Sequence, residues 1–223
     1  MKRVLNKILK PLHKSAYAQG GEDMILNTLF AGIRKGKYID IGANSPFEQS
    51  NTAFFYKKGW SGYNIDANPE SVKRLNKGRK RDKNILAFIS DENHEVTYNY
   101  YENSLYNGAE NELEIPSPLL KKEKIKSKTV KQIRTEFLIT EQIDFLSIDI
   151  EGYDLKVLQS LDLKEFRPRA IVIESFDYLV RDCLNNEITE YLKKYDYHFI
   201  AKTITNCIYI SNEFYKERFI KQE

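Results

Sequence analysis

The stretch "KYIDIGANSPFEQSNT", residues 37–52, decides how this chain is read. An apolar, β-branched run ends in Ile39-Asp40-Ile41 and turns at once into Gly42-Ala43-Asn44. A buried strand breaking into a loop has this pattern, and loops at the carboxyl ends of parallel strands are where open α/β sheets hold ligands. What flanks the strand sets the fold, and what its loop can accommodate sets the ligand.

Outward from this strand, helices and strands alternate. Upstream, "GGEDMILNTLFAG" reads as a helix with acids in its first turn and Gly32 near its end. Downstream, "SNTAFFYKKG" is a helix stopped by Gly59, and "SGYNIDANPES" is a strand followed by a helix start, with Asn68 as cap, Pro69 in the first position and Glu70 next. "NILAFIS" and "EVTYNYY" read as extended, "TVKQIRTEFL" as helical, and "IDFLSIDIEGYD" as a second buried strand ending in acids and glycine. "DLKVLQSL", "RAIVIES" and "EITEYLKKY" continue as helix, strand, helix. "YHFIAKTITNCIYIS" gives two short strands joined so tightly that they must be antiparallel. The alternation predicts an α/β, Rossmann-like fold, a mostly parallel sheet with a C-terminal antiparallel strand pair and helices on both faces.

At 223 residues the chain fits one domain. We divide it into a basic amphipathic helix over 1–18, in which Val4, Leu5, Ile8, Leu9 and Leu12 share a face, and a single domain over 19–223. Residues 102–128 show no clean period and contain two prolines, so they read as a surface insertion, either a substrate lid or a solvated loop. The N-terminal helix either docks on the domain or makes peripheral contact with a membrane surface.

Thirty-five Lys and Arg against 32 Asp and Glu leave a net charge of +3, which makes no strong case for a polyanion partner. The basic run "KGRKRDK", residues 77–83, reads as a solvated helix end, with RNA contact as the alternative. Cys183 and Cys207 with His13, His94 and His198 lack zinc-site spacing. No apolar run is long enough to be a transmembrane segment, and the start has no small-residue cleavage site, so a reduced, cytoplasmic protein is expected.

The loop after the first strand is poorly suited to a diphosphate. Gly42 stands alone where a dinucleotide loop needs three glycines, positions 44 and 47 are Asn and Phe, and Asp40 would set a negative charge against phosphates. S-adenosyl-L-methionine, a cation without phosphate, fits better. Asp40 is assigned to its ammonium, Gly42 to close backbone approach and Asn44 to an amide contact; a structural salt bridge is the alternative for Asp40. Asp66 ends the next strand, where an acid can accept both ribose hydroxyls, with Ala67 and Asn68 beside it. Ser90 and Asp91, at a third strand end, are assigned to the adenine amino group, with a plain turn as the alternative.

With these residues in place, the chain resembles the FkbM-type S-adenosylmethionine-dependent methyltransferases. The resemblance rests on "YIDIGANSPFEQSNTAFFYKKGWSGYNIDANP" and "IDFLSIDIEGYDLKVLQSLDL", with "QGGED" upstream, and runs from about Gln19 to Ser211. It implies a seven-stranded methyltransferase sheet and O-methylation of a sugar, glycan or related secondary metabolite. It also implies that Asp149, Glu151 and Gly152 border the cofactor, and that Gln19, Glu22 and Asp23 lie near it.

Methyl transfer to a hydroxyl requires in-line alignment and removal of a proton. Asp149 and Glu151 are the candidate catalytic bases, with Asp149 also a candidate cofactor contact. Asp149 and Glu174 are two acids that a divalent metal could use, too few to predict one. The DNA-type Asn/Asp-Pro-Pro-aromatic loop is replaced here by "DIEGYD", which argues against DNA as substrate. A non-catalytic binding module, an RNA methyltransferase and a nicotinamide-dependent oxidoreductase are the competing classes.

Overall fold

The computed structural model describes residues 16–109, 114–150 and 152–220. The helix expected at the N-terminus lies, over residues 1–15, outside the described residues. The first helix described is α1 (Glu22–Leu29). It leads into β1 (Lys37–Ile41), α2 (Ala53–Lys57), β2 (Ser61–Asp66), α3 (Pro69–Gly78) and β3 (Lys83–Leu86). A second group of strands follows, β4 (Phe88–Ile89), β5 (Glu95–Tyr101), β6 (Gly108–Ala109) and β7 (Leu119–Lys128). Next come α4 (Val130–Glu136), β8 (Phe145–Ile148), α5 (Asp154–Ser160) and β9 (Ala170–Glu174). The chain closes with α6 (Val180–Cys183), α7 (Glu187–Lys193), β10 (Tyr197–Lys202), β11 (Asn206–Ser211) and α8 (Asn212–Phe219).

Seven strands form one sheet in the order β10-β11-β9-β8-β1-β2-β3. The pairs from β3 through β9 are parallel, and β11 runs antiparallel to both β9 and β10. β1 lies inside the sheet between β8 and β2, its two-residue alternation sending side chains to opposite helical layers. Ile39 and Ile41 join Ile65, Leu146, Ile148, Ile171 and Ile173 on one face, where α4, α5 and α7 contribute Ile133, Leu158 and Leu192. Tyr38 joins Phe145, Val172 and Ile208 on the other, against Leu26, Phe30, Phe55, Trp60 and Phe214. Phe55 stands 4.8 Å from Trp60 and 4.9 Å from Phe145 between ring centroids. Such pairs contribute about 0.5–1.5 kcal/mol each beyond their buried area.

Helix starts follow the sequence. The Asn68 side chain accepts from the Glu70 amide at 3.0 Å with Pro69 at the first position. Thr129 and Gln132 form a reciprocal capping box at α4.

Three expectations are corrected. "NILAFIS" is not one strand, because it breaks at Ala87 and β4 leaves the large sheet to pair with β7. Residues 119–128, read within an insertion lacking regular structure, form a ten-residue strand in a second sheet of order β4-β7-β5-β6. Its lysines hide the strand period, since Lys122, Lys124, Lys126 and Lys128 line the outer face and on the inner face Ile125 meets Val96, Tyr98 and Phe88. The third correction concerns "KGRKRDK". Arg79 in this run is wholly buried.

The Arg79 guanidinium donates to Asp82 at 2.8 Å, to the Pro46 carbonyl at 2.9 Å, and to the Tyr38 and Thr52 hydroxyls at 2.9 Å each. The Tyr38 hydroxyl donates to Asp82 at 2.7 Å. Gly62 makes room for this, as a Cβ there would lie 2.3 Å from the Tyr38 ring. Removing one partner of a buried ion pair leaves the other charge uncompensated and typically costs about 3–5 kcal/mol. Arg79→Ala is therefore expected to lower unfolding free energy by about that amount in urea titrations. Lys77→Ala, on the same helix, should change it by less than about 0.5 kcal/mol.

Candidate functional site

A cleft of about 340 Å³ opens along the carboxyl ends of the large sheet. Its position follows from the topology. β1 and β2 are hydrogen-bonded neighbours whose chains leave in loops at the same edge, and β8 and β9 extend that edge on the other side of β1.

At the center, Gly42 adopts φ +86° and its amide donates to the Ile65 carbonyl at 2.9 Å. A Cβ at Gly42 would lie 1.7 Å from the Asp149 carbonyl oxygen. Only glycine lets the β1 and β8 loops approach this closely. Asn44 follows in the left-handed region at φ 39°, and its amide donates to Asp66 Oδ2 at 2.7 Å. The other Asp66 oxygen accepts from the Asn68 amide at 2.7 Å. Asp66 thus braces its own loop with one lone pair on each oxygen, and an ionised carboxylate has about four acceptor positions. Burial pushes its carboxyl up to about 6 from an ordinary value near 3.8, against the opposing pull of the Asn68 and Asn44 amides.

The β8 loop is shaped by an acid that sequence reading passed over. Asp154, buried at the start of α5, accepts from the amides of Ile150 and Gly152 at 3.1 Å each. An acid at the first helical position, two residues after a glycine, was the available signal.

Of the residues assigned from sequence, Gln19, Gly42, Asn44, Asp66, Ala67, Asn68 and Asp149 line the cleft. Four stand elsewhere. Asp40 is buried beneath the loop, where its carboxylate accepts from Thr52 Oγ1 at 2.7 Å and from Ser147. Burial raises its pKa, and the Thr52 bond and Arg79 draw it back. The reason is register: Asp40 shares the sheet face of Tyr38, which turns it toward the Arg79 network. Glu22 is also buried. It accepts from the Gly20 amide, the Asn206 side-chain amide and the Thr203 hydroxyl, tying the segment that carries Gln19 to the β10–β11 turn. Ser90 and Asp91 are carried off by β4, with the Ser90 amide on the Lys128 carbonyl and the Ser90 hydroxyl on Asp91. Asp91 lies instead on a shallow surface groove beside Thr129 and Glu136. Glu151, the second candidate base, lies outside the described residues.

Where Ser90 and Asp91 were expected, the wall is formed by Ala87, Phe88, Ile89 and Tyr98. Tyr106, Asn107 and Gly108, between β5 and β6, also line the cleft, as do Gln49, Phe176 and Thr205. Tyr98 and Tyr106 belong to a tyrosine-rich stretch of the sequence, and nothing in the local pattern separates tyrosines that pack from tyrosines that face a ligand.

The family model of the methyltransferase FkbM domain matches residues 40–199. This chain belongs to that family. No curated protein matches it. Solved structures similar to it include a TehB-like SAM-dependent methyltransferase from Corynebacterium glutamicum, 10% identical over 94% of each chain with a TM-score of 0.44. Another is a precorrin-6y C5,15-methyltransferase from Geobacter metallireducens, 11% identical over 91% of this chain and 93% of that one, TM-score 0.44. A third is a SAM-dependent methyltransferase from Thiobacillus denitrificans in complex with S-adenosyl-L-homocysteine, 12% identical over 90% of this chain and 73% of that one, TM-score 0.43. Likeness this distant carries no information on substrate.

An FkbM methyltransferase uses S-adenosylmethionine, and the cleft suits that cofactor. The described residues that line it include the carboxylates Asp66, Asp149 and Glu174 but no Lys, Arg or His, so they offer nothing to balance a diphosphate and much to favour a cation. Among the described residues no cluster of three or more His, Cys, Asp or Glu is arranged for a metal ion, and no helix is long and apolar enough to cross a membrane.

The raised Asp66 pKa gives a pH signature. Because the fold favours its protonated form, its contribution to stability is fully present below about pH 4 and is lost as pH rises through about 6. Hydroxyl binding has the opposite sign, since the ionised form is the stronger acceptor. Affinity for S-adenosylhomocysteine, measured by calorimetry, should therefore rise between pH 5 and 7 and then level off. Asp66→Asn should bind more weakly and flatten that rise.

Proposed function

We propose that this methyltransferase acts on oxygen, transferring the methyl group of S-adenosylmethionine to a hydroxyl of a sugar, glycan or related secondary metabolite. The observation that carries the reading is that Asp149, a candidate base, lines the cleft beyond Gly42, with a second carboxylate, Glu174, on the same wall. Hydroxyl acceptors need a proton acceptor beside them, and a carboxylate supplies one without a metal. The "DIEGYD" loop after β8 also lacks the Pro-Pro-aromatic arrangement that suits amino-nitrogen acceptors.

In this reading Asp66 accepts from the ribose hydroxyls, Gly42 and Asn44 present backbone to the methionyl part, and Ala67, Asn68 and Phe88 flank the adenosine. Gln19 and Asp149 border the methyl end. The cofactor supplies an electrophilic methyl group whose transfer requires no acid catalysis on the leaving sulfur. The protein's own tasks are to hold the acceptor oxygen in line, to take its proton on Asp149 or Glu151, and to keep water out. Asp40 keeps a supporting role, fixing the floor of the loop through Thr52.

Two measurements test the reading. One is titration of the purified protein with S-adenosylhomocysteine. A charged hydrogen bond contributes about 1.5–3 kcal/mol, so Asp66→Ala should bind at least about tenfold more weakly than wild type; equal affinities would remove the ribose assignment. The other is mass spectrometry of candidate glycans incubated with S-adenosylmethionine. A mass gain of one methyl on oxygen, reduced about a hundredfold or more in Asp149→Asn, is the expected result. Methylation on nitrogen alone would overturn the proposal.

A further inference from the structure

Exposed apolar side chains are unevenly spread over this surface. Among the described residues twelve large apolar side chains are exposed, and six of them, Phe176, Tyr178, Leu179, Val180, Leu184 and Ile204, belong to the segment after β9 and to the β10–β11 turn. These two pieces of chain lie side by side. The Ser175 amide donates to the Thr205 carbonyl at 2.8 Å, and Lys202 Nζ joins the Ser175 and Ile204 carbonyls at 2.8 and 3.1 Å. Single exposed apolar residues are ordinary on a protein surface, whereas a cluster marks a contact.

The patch is held from beneath. Asp177 Oδ2 accepts from the Asn186 side-chain amide at 2.7 Å and from the Ser175 hydroxyl at 3.1 Å, and the Cys183 thiol donates to the Asp177 carbonyl at 3.1 Å. These bonds fix the backbone, so the apolar side chains outside it are presented by a firm support. The patch also borders the cleft, because Phe176 and Thr205 line it together with Gln19.

Charge and chain path indicate what covers it. Around the patch the acids Asp177, Asp182 and Glu187 stand against the cations Arg181 and Lys202. Arg181 meets Asp182 at 3.3 Å, and Lys202 is held on the two carbonyls. An anionic bilayer draws on an excess of Lys and Arg, which this border lacks. Residues 1–15 have the complementary chemistry, with five Lys and Arg, no Asp or Glu, and the apolar set Val4, Leu5, Ile8, Leu9 and Leu12. They precede a stretch anchored on the same wall. A Cβ on Gly20 would lie 2.9 Å from Thr203 Cβ, and Glu22 accepts from the Asn206 side-chain amide at 3.0 Å. An extended chain covers about 3.5 Å per residue, so Leu12 can stand up to about 25 Å from Gln19. That exceeds the spacing of about 4.8 Å between β9 and β11, the neighbouring strands that lead into the patch. A tethered segment of this kind acts at an effective concentration of about millimolar.

We infer that residues 1–15 of this same chain cover the patch, with Leu5, Ile8 and Leu9 on Leu179, Val180 and Ile204 and the lysines toward Asp182 and Glu187. The segment then forms the outer wall of the cleft at the end marked by Phe176. This surface role is independent of the acceptor and of the reaction.

The test is methyl NMR on full-length protein labelled at Ile, Leu and Val, alone and with vesicles of phosphatidylcholine and phosphatidylserine. Wild type should show Overhauser contacts from the methyls of Leu5, Ile8 or Leu9 to those of Leu179, Val180 or Ile204, and the vesicles should leave the patch resonances unchanged. Leu5→Asp with Leu9→Asp should abolish the contacts and shift the patch resonances, while the buried Ile39 and Ile171 methyls stay in place and report an intact fold. Val180→Asp, changed on the opposite partner, should abolish them as well. Absence of the contacts in wild type overturns the proposal. So does sedimentation of wild type as a dimer that Val180→Asp turns into a monomer, which makes the occupant a second copy. Broadening of the patch methyls by vesicles overturns it too, in favour of a lipid surface.

Discussion

The structure depends on a guanidinium sealed inside it. Arg79 is fully buried at the end of α3, and its donors reach Asp82, Tyr38, Thr52 and the Pro46 carbonyl. Pro46 and Thr52 belong to the segment that follows the β1 loop, while α3 itself begins just after the β2 loop. One cation therefore fixes both loops that shape the cofactor half of the cleft. Desolvating a charge is expensive, and the cost is offset here because the guanidinium is met by the Asp82 carboxylate and by three further oxygen acceptors.

That network also explains how the acids divide their roles. Asp40 and Asp66 stand near the ends of neighbouring strands, and the sequence assigns one to the ammonium and the other to the ribose of the same ligand. Asp40 accepts from Thr52, itself bonded by Arg79, so its charge is satisfied from within. Asp66 accepts only backbone amides at the rim and keeps a face toward the cleft. The difference arises from two residues of register, because Asp40 lies inside the end of β1, opposite Asn64, whereas Asp66 is the last residue of its strand.

The large sheet was legible because its central strands β8 and β9 are buried on both faces and appear as apolar runs between glycines and caps. The order of helix and strand, the Asn68 cap and the antiparallel C-terminal pair all follow from local chemistry. What was not legible has a common cause. β7 is a lysine-rich ribbon with one half-covered face, Arg79 lies in a run of charges with nothing local to mark its burial, and the break at Ala87 depends on β7 offering a partner thirty-nine residues away. Each is decided by a distant segment, which periodicity cannot register. The same holds for the site. Gly42 and Asp66 announce themselves at strand ends, whereas Phe88, Tyr98 and Phe176 enter the cleft only through tertiary placement.

Glu22 offers a last consequence, for biogenesis. Its partners Thr203 and Asn206 are 181 and 184 residues further along the chain. Apart from the local Gly20 amide, these partners exist only once the β10–β11 hairpin has been synthesised, so the bonds that tie the segment bearing Gln19 to that hairpin cannot form before then. Closing so wide a loop is a slow, late event in folding. The Gln19 side of the cleft is thus synthesised before the other residues that line it and is among the last parts to be set, and a ribosome-tethered intermediate would have its central strands without a finished pocket.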